Sequence, residues 1–122
     1  MTEIAALKRF LDNVVTSYPT DNVPTNATYP YLTFEPIIGF WEDGALPVQC
    51  QLWCRTDSDA AVNKIVRDLA HGIGYGGMPV AVDSGWIWIK KGTPFCVPVT
   101  ITTDEGIKRR VINLSVEFFT NQ

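Results

Sequence analysis

VQCQLWCR, residues 48–55, alternates strictly between two kinds of side chain. In an extended chain Val48, Cys50, Leu52 and Cys54 fall on one face and Gln49, Gln51, Trp53 and Arg55 on the other. A helix would scatter these residues around its circumference, so the stretch predicts a strand half buried in a sheet. That conformation also governs the chemistry of the two thiols. At ~3.3 Å per residue Cys50 and Cys54 lie about 13 Å apart, too far to share one tetrahedral ion. Together with Cys96 and His71 they supply the ligand types of a three-cysteine, one-histidine zinc site. The spacing instead favours cysteines as small buried hydrophobes, and no metal site is assigned.

Directly after this strand, Thr56-Asp57-Ser58-Asp59 offers helix N-caps with acids placed favourably for the helix dipole. Ala61, Val62, Ile65, Val66, Leu69 and Ile73 then line one face of a helix, ending at Gly72 or Gly74. Near the N-terminus, Thr2 caps a second amphipathic helix over residues 3–17, with Ile4, Leu7, Phe10, Leu11, Val14 and Val15 on its apolar face. Lys8, Arg9, Asp12 and Asn13 face away, and Tyr18-Pro19 stops the helix. Residues 20–28, TDNVPTNAT, read as a loop, and Tyr31 to Phe34 as a short edge strand interrupted at Pro36. A turn at Glu42-Asp43-Gly44 precedes the opening stretch.

Downstream of the HGIGYGG loop (71–77), Met78 to Asp83 and Trp86 to Lys90 predict a hairpin. A second, long hairpin follows, from Phe95 to Thr102, through a turn at Asp104-Glu105-Gly106, to Ile107–Phe119. The expected order is helix, strand, strand, helix and four strands, with no repeat or composition break dividing residues 1–122. This describes a single α+β domain with two amphipathic helices packed on one face of a mainly antiparallel sheet.

Composition bounds the function. A chain of 122 residues with 46% hydrophobic and 19% charged side chains has enough apolar material for a core without staples. A net charge of −3 does not favour a phosphate backbone as the principal partner. No apolar run approaches the ~20 residues of a membrane span, the N-terminus lacks signal-peptide features, and three cysteines fit free thiols in a reducing compartment. A cytosol is the expected site of synthesis and folding.

No catalytic or cofactor-binding constellation emerges. Ser58 reads as a helix-start residue, Ser84 as a turn residue and Ser115 as part of strand alternation; His71 sits at a helix end. The glycine loop follows a helix and precedes a strand, the reverse of a phosphate-binding loop. Glu42-Asp43 and Asp104-Glu105 read as solvated turn charges. More informative is the excess of large apolar groups: both faces of Trp86-Ile87-Trp88-Ile89 are apolar, and a domain this small has no third layer to cover the second face. Trp41, Trp53, Trp86 and Trp88 are therefore candidate interface anchors. Lys90, Lys91, Lys108, Arg109 and Arg110, near hairpin ends, are candidates for contact with acidic surfaces.

Taken together, the N-terminal helix, YPYLTFEP (29–36), PVQCQLWCRTDSDAAVNKIVRDL (47–69) and VINLSVEFF (111–119) resemble the tail terminator, or tail completion, proteins of long-tailed bacteriophages and prophages. The resemblance covers most of the chain and rests on patterns of residue class. It implies a non-catalytic subunit of a homo-oligomeric ring, commonly a hexamer, located at the tail–neck junction of the virion. Such a ring caps the tail tube, stops its growth and offers the surface that joins the head, so the tail tube protein and head connector protein are implied partners. DNA would be met only in passage through the ring, and no cofactor is implied. A head completion or connector component, another minor tail protein and a small cytosolic ligand-binding domain remain as alternative expectations.

Overall fold

Thr2 starts α1, Glu3–Asp12, by accepting the Ala5 amide on its hydroxyl at 3.1 Å. The helix ends earlier than its apolar periodicity predicts, because Asp12 turns to another task. Its carboxylate accepts the Ser17 amide and hydroxyl, each at 2.8 Å, and so draws the chain out of the helix and into a strand. The computed structural model describes residues 1–99 and 106–121. Beyond α1 these form β1 (Ser17–Pro19), β2 (Tyr31–Phe34), β3 (Ala45–Arg55), α2 (Asp59–Ile73), β4 (Met78–Val82), β5 (Gly85–Val99) and β6 (Ile107–Thr120).

All six strands join one sheet in the order β1-β2-β3-β6-β5-β4. β1 runs parallel to β2, so the sheet is mixed, and it curls into a half-barrel. This corrects the expected mainly antiparallel layer. The physical reason lies in α1 and β1: a helix ending at Asp12 leaves enough chain for Ser17–Pro19 to add alongside β2. The expected order is corrected too, because three strands lie between the helices and three follow α2.

The C-terminal strands also differ from expectation. β5 is one strand from Gly85 to Val99 rather than two, with an irregularity between Lys91 and Cys96. Gly92-Thr93-Pro94 has the composition of a loop, yet the ladder with β6 resumes beyond it. The Asn113 side-chain amide donates to the Pro94 carbonyl at 2.9 Å and ties the bulge to β6. The expected strand end at residues 100–102 and the turn acids Asp104 and Glu105 lie outside the described residues.

Alternation sets the core. Val48, Cys50, Leu52 and Cys54 of β3, Ile87 and Ile89 of β5, and Ile112, Leu114, Val116 and Phe118 of β6 are buried on the inner face. Against them lie Ala6, Leu7 and Leu11 of α1 and Val62, Leu69 and Ile73 of α2. Each fully buried aliphatic side chain contributes about 1.5–3 kcal/mol. α2 is fixed by Ser58, whose hydroxyl accepts the Ala61 amide at 3.2 Å, and by Gly74, its C-cap at φ 77°.

The curl is visible in what α1 touches. Lys8 Nζ donates to the Ser17 carbonyl at 2.7 Å on β1, one edge of the sheet. At the other end of the helix the Met1 ammonium pairs with Asp83, and Ser84 donates to Glu3 at 2.8 Å, in the turn after β4. One helix thus holds both edges of a six-stranded sheet, which is possible only if the sheet wraps around it.

Candidate functional site

Wrapping places the other sheet face outside, and the residues out of phase with the core populate it. At one end of that face Tyr31 of β2 pairs with Trp53 of β3, which pairs with Arg109 of β6. The Tyr31 and Trp53 rings lie 6.3 Å apart and nearly parallel at 16°. Arg109 lies over the Trp53 ring at 5.0 Å and Arg55 over the Tyr29 ring at 4.9 Å, both favourable cation–π placements. Tyr29 and Tyr18 extend the group, with ring centroids 5.5 and 6.2 Å from Tyr31. Burial, with the neighbouring Tyr29 hydroxyl second, raises the Tyr31 pKa, so its phenol stays neutral. The Arg109 Nε is buried without a hydrogen-bond partner among the described residues.

A second aromatic group occupies the other end. Trp86 stacks on Phe119 at 4.3 Å and 21°, while Trp41 meets the same ring edge-on at 4.8 Å and 72°. Trp88 lies 6.1 Å from Trp86, and the Lys90 ammonium sits 4.3 Å from the Trp88 ring centroid. The loop carrying Trp41 is pinned to β6: Thr120 donates its hydroxyl to the Gly39 carbonyl at 2.9 Å, and the Trp41 amide donates to the Thr120 carbonyl. Trp88 is held by its indole N–H, which donates to the Gly76 carbonyl at 2.8 Å. Gly77 permits that approach, since a Cβ there would meet the Trp88 Nε1 at 2.3 Å and its φ is +90°. Trp41 remains 50% exposed and Trp86 36%.

The four tryptophans are therefore not one surface. Trp41, Trp86 and Trp88 gather around Phe119, whereas Trp53 belongs to the tyrosine–arginine group. About ten residues of β6, roughly 33 Å of strand, separate Arg109 from Phe119. Between them lies a depression of mixed lining that includes Pro47, Thr93, Asn113 and Ser115.

The basic residues divide as well. Lys108 and Arg110 lie on the inner side of β6 and clamp Asp59 at the start of α2, at 3.1 and 3.3 Å. Hydrogen bonding and charge from Lys108, followed by Arg110, hold the Asp59 carboxyl below the usual range. These two cations are already engaged within the chain, while Arg109 points outward. Lys90 belongs to the tryptophan group, and Lys91, one residue on, lines a cleft with Arg67, His71 and Tyr75.

Cys50 and Cys54 are buried, and Cys96 is partly exposed. Burial, then the Glu35 carboxylate, pushes the Cys50 thiol up to about 12. Burial also raises Cys54 and Cys96, each partly offset by Arg110. A small cavity of about 150 Å³ between Tyr29, Cys54, Arg55 and α2 is below the ~300–1,000 Å³ range of ordinary ligand pockets. Among the described residues no group of three or more His, Cys, Asp or Glu side chains is placed to hold a metal ion. No described helix is long and apolar enough to cross a membrane.

Sequence reasoning omitted Phe119, Tyr18, Tyr29, Tyr31 and Arg55. The signal for Phe119 was present: it continues the parity of Asn113, Ser115 and Glu117, placing it on the outer face. Tyr31 required the β2–β3 register, which pairs it with Trp53. Comparison with protein-family models and with curated proteins found no match to this chain.

Proposed function

We propose that this protein is a structural subunit of a long-tailed bacteriophage or prophage, assembling as a ring that caps the tail tube, stops its growth and presents the head-joining surface. The observation that carries this assignment is the outer sheet face: Trp41, Trp86, Trp88 and Phe119 form a preorganised aromatic group with no further layer above it among the described residues. Large aromatic side chains held by stacking and hydrogen bonds are the usual anchors of protein interfaces, because they bury much area at little entropic cost. The sequence resemblance supplies the biological setting, and the commonly hexameric ring is part of it.

The test is assembly of purified tail tube protein with and without this chain. Capping produces tubes that stop elongating and carry a ring at one end in electron micrographs. Tubes that grow to the same length distribution and bear no added density would overturn the assignment.

A further inference from the structure

The two aromatic groups on the outer face differ in the sign of their surrounding charge. Glu42 and Asp43 follow Trp41 in sequence, and Glu117 pairs with Trp88 across the β5–β6 ladder. None of these three carboxylates has a cation within 4 Å among the described residues. Lys90 lies over the Trp88 ring and brings a cation to this group. At the opposite end Arg55 and Arg109 stack on Tyr29 and Trp53, and neither has a carboxylate within 4 Å among the described residues. An acid-rimmed aromatic patch and a base-rimmed one are complementary surfaces.

Separation decides how they can be used. The basic patch lies at the Arg109 end of β6 and the acidic patch at its Phe119 end, about ten residues or roughly 33 Å of strand apart. At that distance each patch can meet a different neighbour. At the β1 edge Ser17 is already held by Lys8 and Asp12, and the turn after β4 is tied to the N-terminus, where the Asp83 amide donates to the Met1 carbonyl.

The geometry points to head-to-tail docking between copies of this chain, with the Trp41–Trp86–Phe119 patch of one copy seated on the Tyr31–Trp53 patch of the next. Glu42 and Glu117 face Arg55 and Arg109 across the contact. A heterologous contact of this kind generates a ring when its rotation closes. The inference rests on the ring-forming reading above and supplies its interface.

Charge exchange tests it. The basic-patch variant carries Arg55→Glu and Arg109→Glu, and the acidic-patch variant Glu42→Lys and Glu117→Lys. Asp43 is left in place because its carboxylate accepts the Phe40 amide. Since Arg109 is half-buried, Arg55→Glu alone serves if the double variant does not fold, as judged by circular dichroism. Sedimentation velocity at low salt should show the wild type associating with increasing concentration. Each variant alone should associate at least about tenfold more weakly. An equimolar mixture should regain association, because each altered patch then meets its altered complement. Variants that associate like the wild type, or a folded pair that stays apart on mixing, would overturn the assignment.

A wild type that remains monomeric throughout, with variants that lose binding to tail tubes, would give the patches to another protein and reject the second copy as occupant. Wild-type association with the expected charge exchange, but no effect on tube growth, would leave the docking intact and remove only its tail setting.

Discussion

Cys50 places a titratable group deep in the core. Its thiol is completely buried on the inner face of β3, and burial with the Glu35 charge raises its pKa from 9.0 to about 12. Two consequences follow from one cause. The thiolate fraction is negligible at neutral pH, so Cys50 should resist a thiol reagent in the native protein and react only on unfolding, as mass spectrometry of alkylated peptides will show. Between pH 9 and 12 the folded chain retains a proton that the unfolded chain loses, so this stabilisation is complete below pH 9 and declines as pH rises. The slope approaches about 1.4 kcal/mol per pH unit for one such group. Urea midpoints between pH 8 and 10 should fall more steeply for the wild type than for Cys50→Ala. Gly39 offers a different residue-level test: a Cβ there would lie 2.6 Å from Phe118 and 2.7 Å from Leu46. Gly39→Ala should therefore destabilise by about 1–3 kcal/mol, measured by chemical denaturation, and loosen the Trp41 loop.

At the scale of elements, α1 acts as a clasp as well as a core helix. Asp12 concentrates that role, accepting from Lys8 at 2.9 Å and from the amide and hydroxyl of fully buried Ser17. Burial alone would raise its pKa, but hydrogen bonds from Lys8 and Ser17 hold it below the usual value. Its contribution is accordingly complete above the ordinary carboxylate pKa and is lost as pH falls through the lower folded value. Asp12→Ala leaves the buried Ser17 amide without its acceptor, while the hydroxyl keeps only the Lys8 carbonyl at 3.2 Å, and should cost about 1–3 kcal/mol. Hydrogen exchange should accelerate first in β1, because that edge strand is only three residues long and depends on the clasp. This element also marks where local reading fails. The period-two pattern of β3 and β6 and the period of α2 were legible because each is written in neighbouring residues. Ser17–Pro19 carries no such period, and its pairing with Leu32–Phe34 depends on partners fifteen residues away. In β5 the Gly92–Pro94 bulge concealed continuity for the same reason: its support comes from Asn113 on another strand.

At the scale of the whole molecule, the sheet's curl determines which side chains become partners and which become surface. The sequence offers all four tryptophans as candidate anchors, but only the three-dimensional arrangement separates Trp53 from the Phe119 group and commits Lys108 and Arg110 to Asp59. That division predicts different effects on stability from one kind of substitution. Trp41 is half exposed and contacts the domain through one edge-on ring, so Trp41→Glu should shift the unfolding midpoint by no more than about 0.5 kcal/mol equivalent. If the outer face is the contact surface, the same change should weaken association by about 2 kcal/mol or more, as expected for the loss of an aromatic anchor. Trp53→Glu should act on the fold itself, because Tyr31 and Arg109 pack on its ring from strands on either side. Denaturation curves and sedimentation on the same two variants separate these effects. Normal assembly of Trp41→Glu would remove the Phe119 group from the interface, whereas a large loss of stability would show that this ring is held more tightly to the domain than its exposure implies.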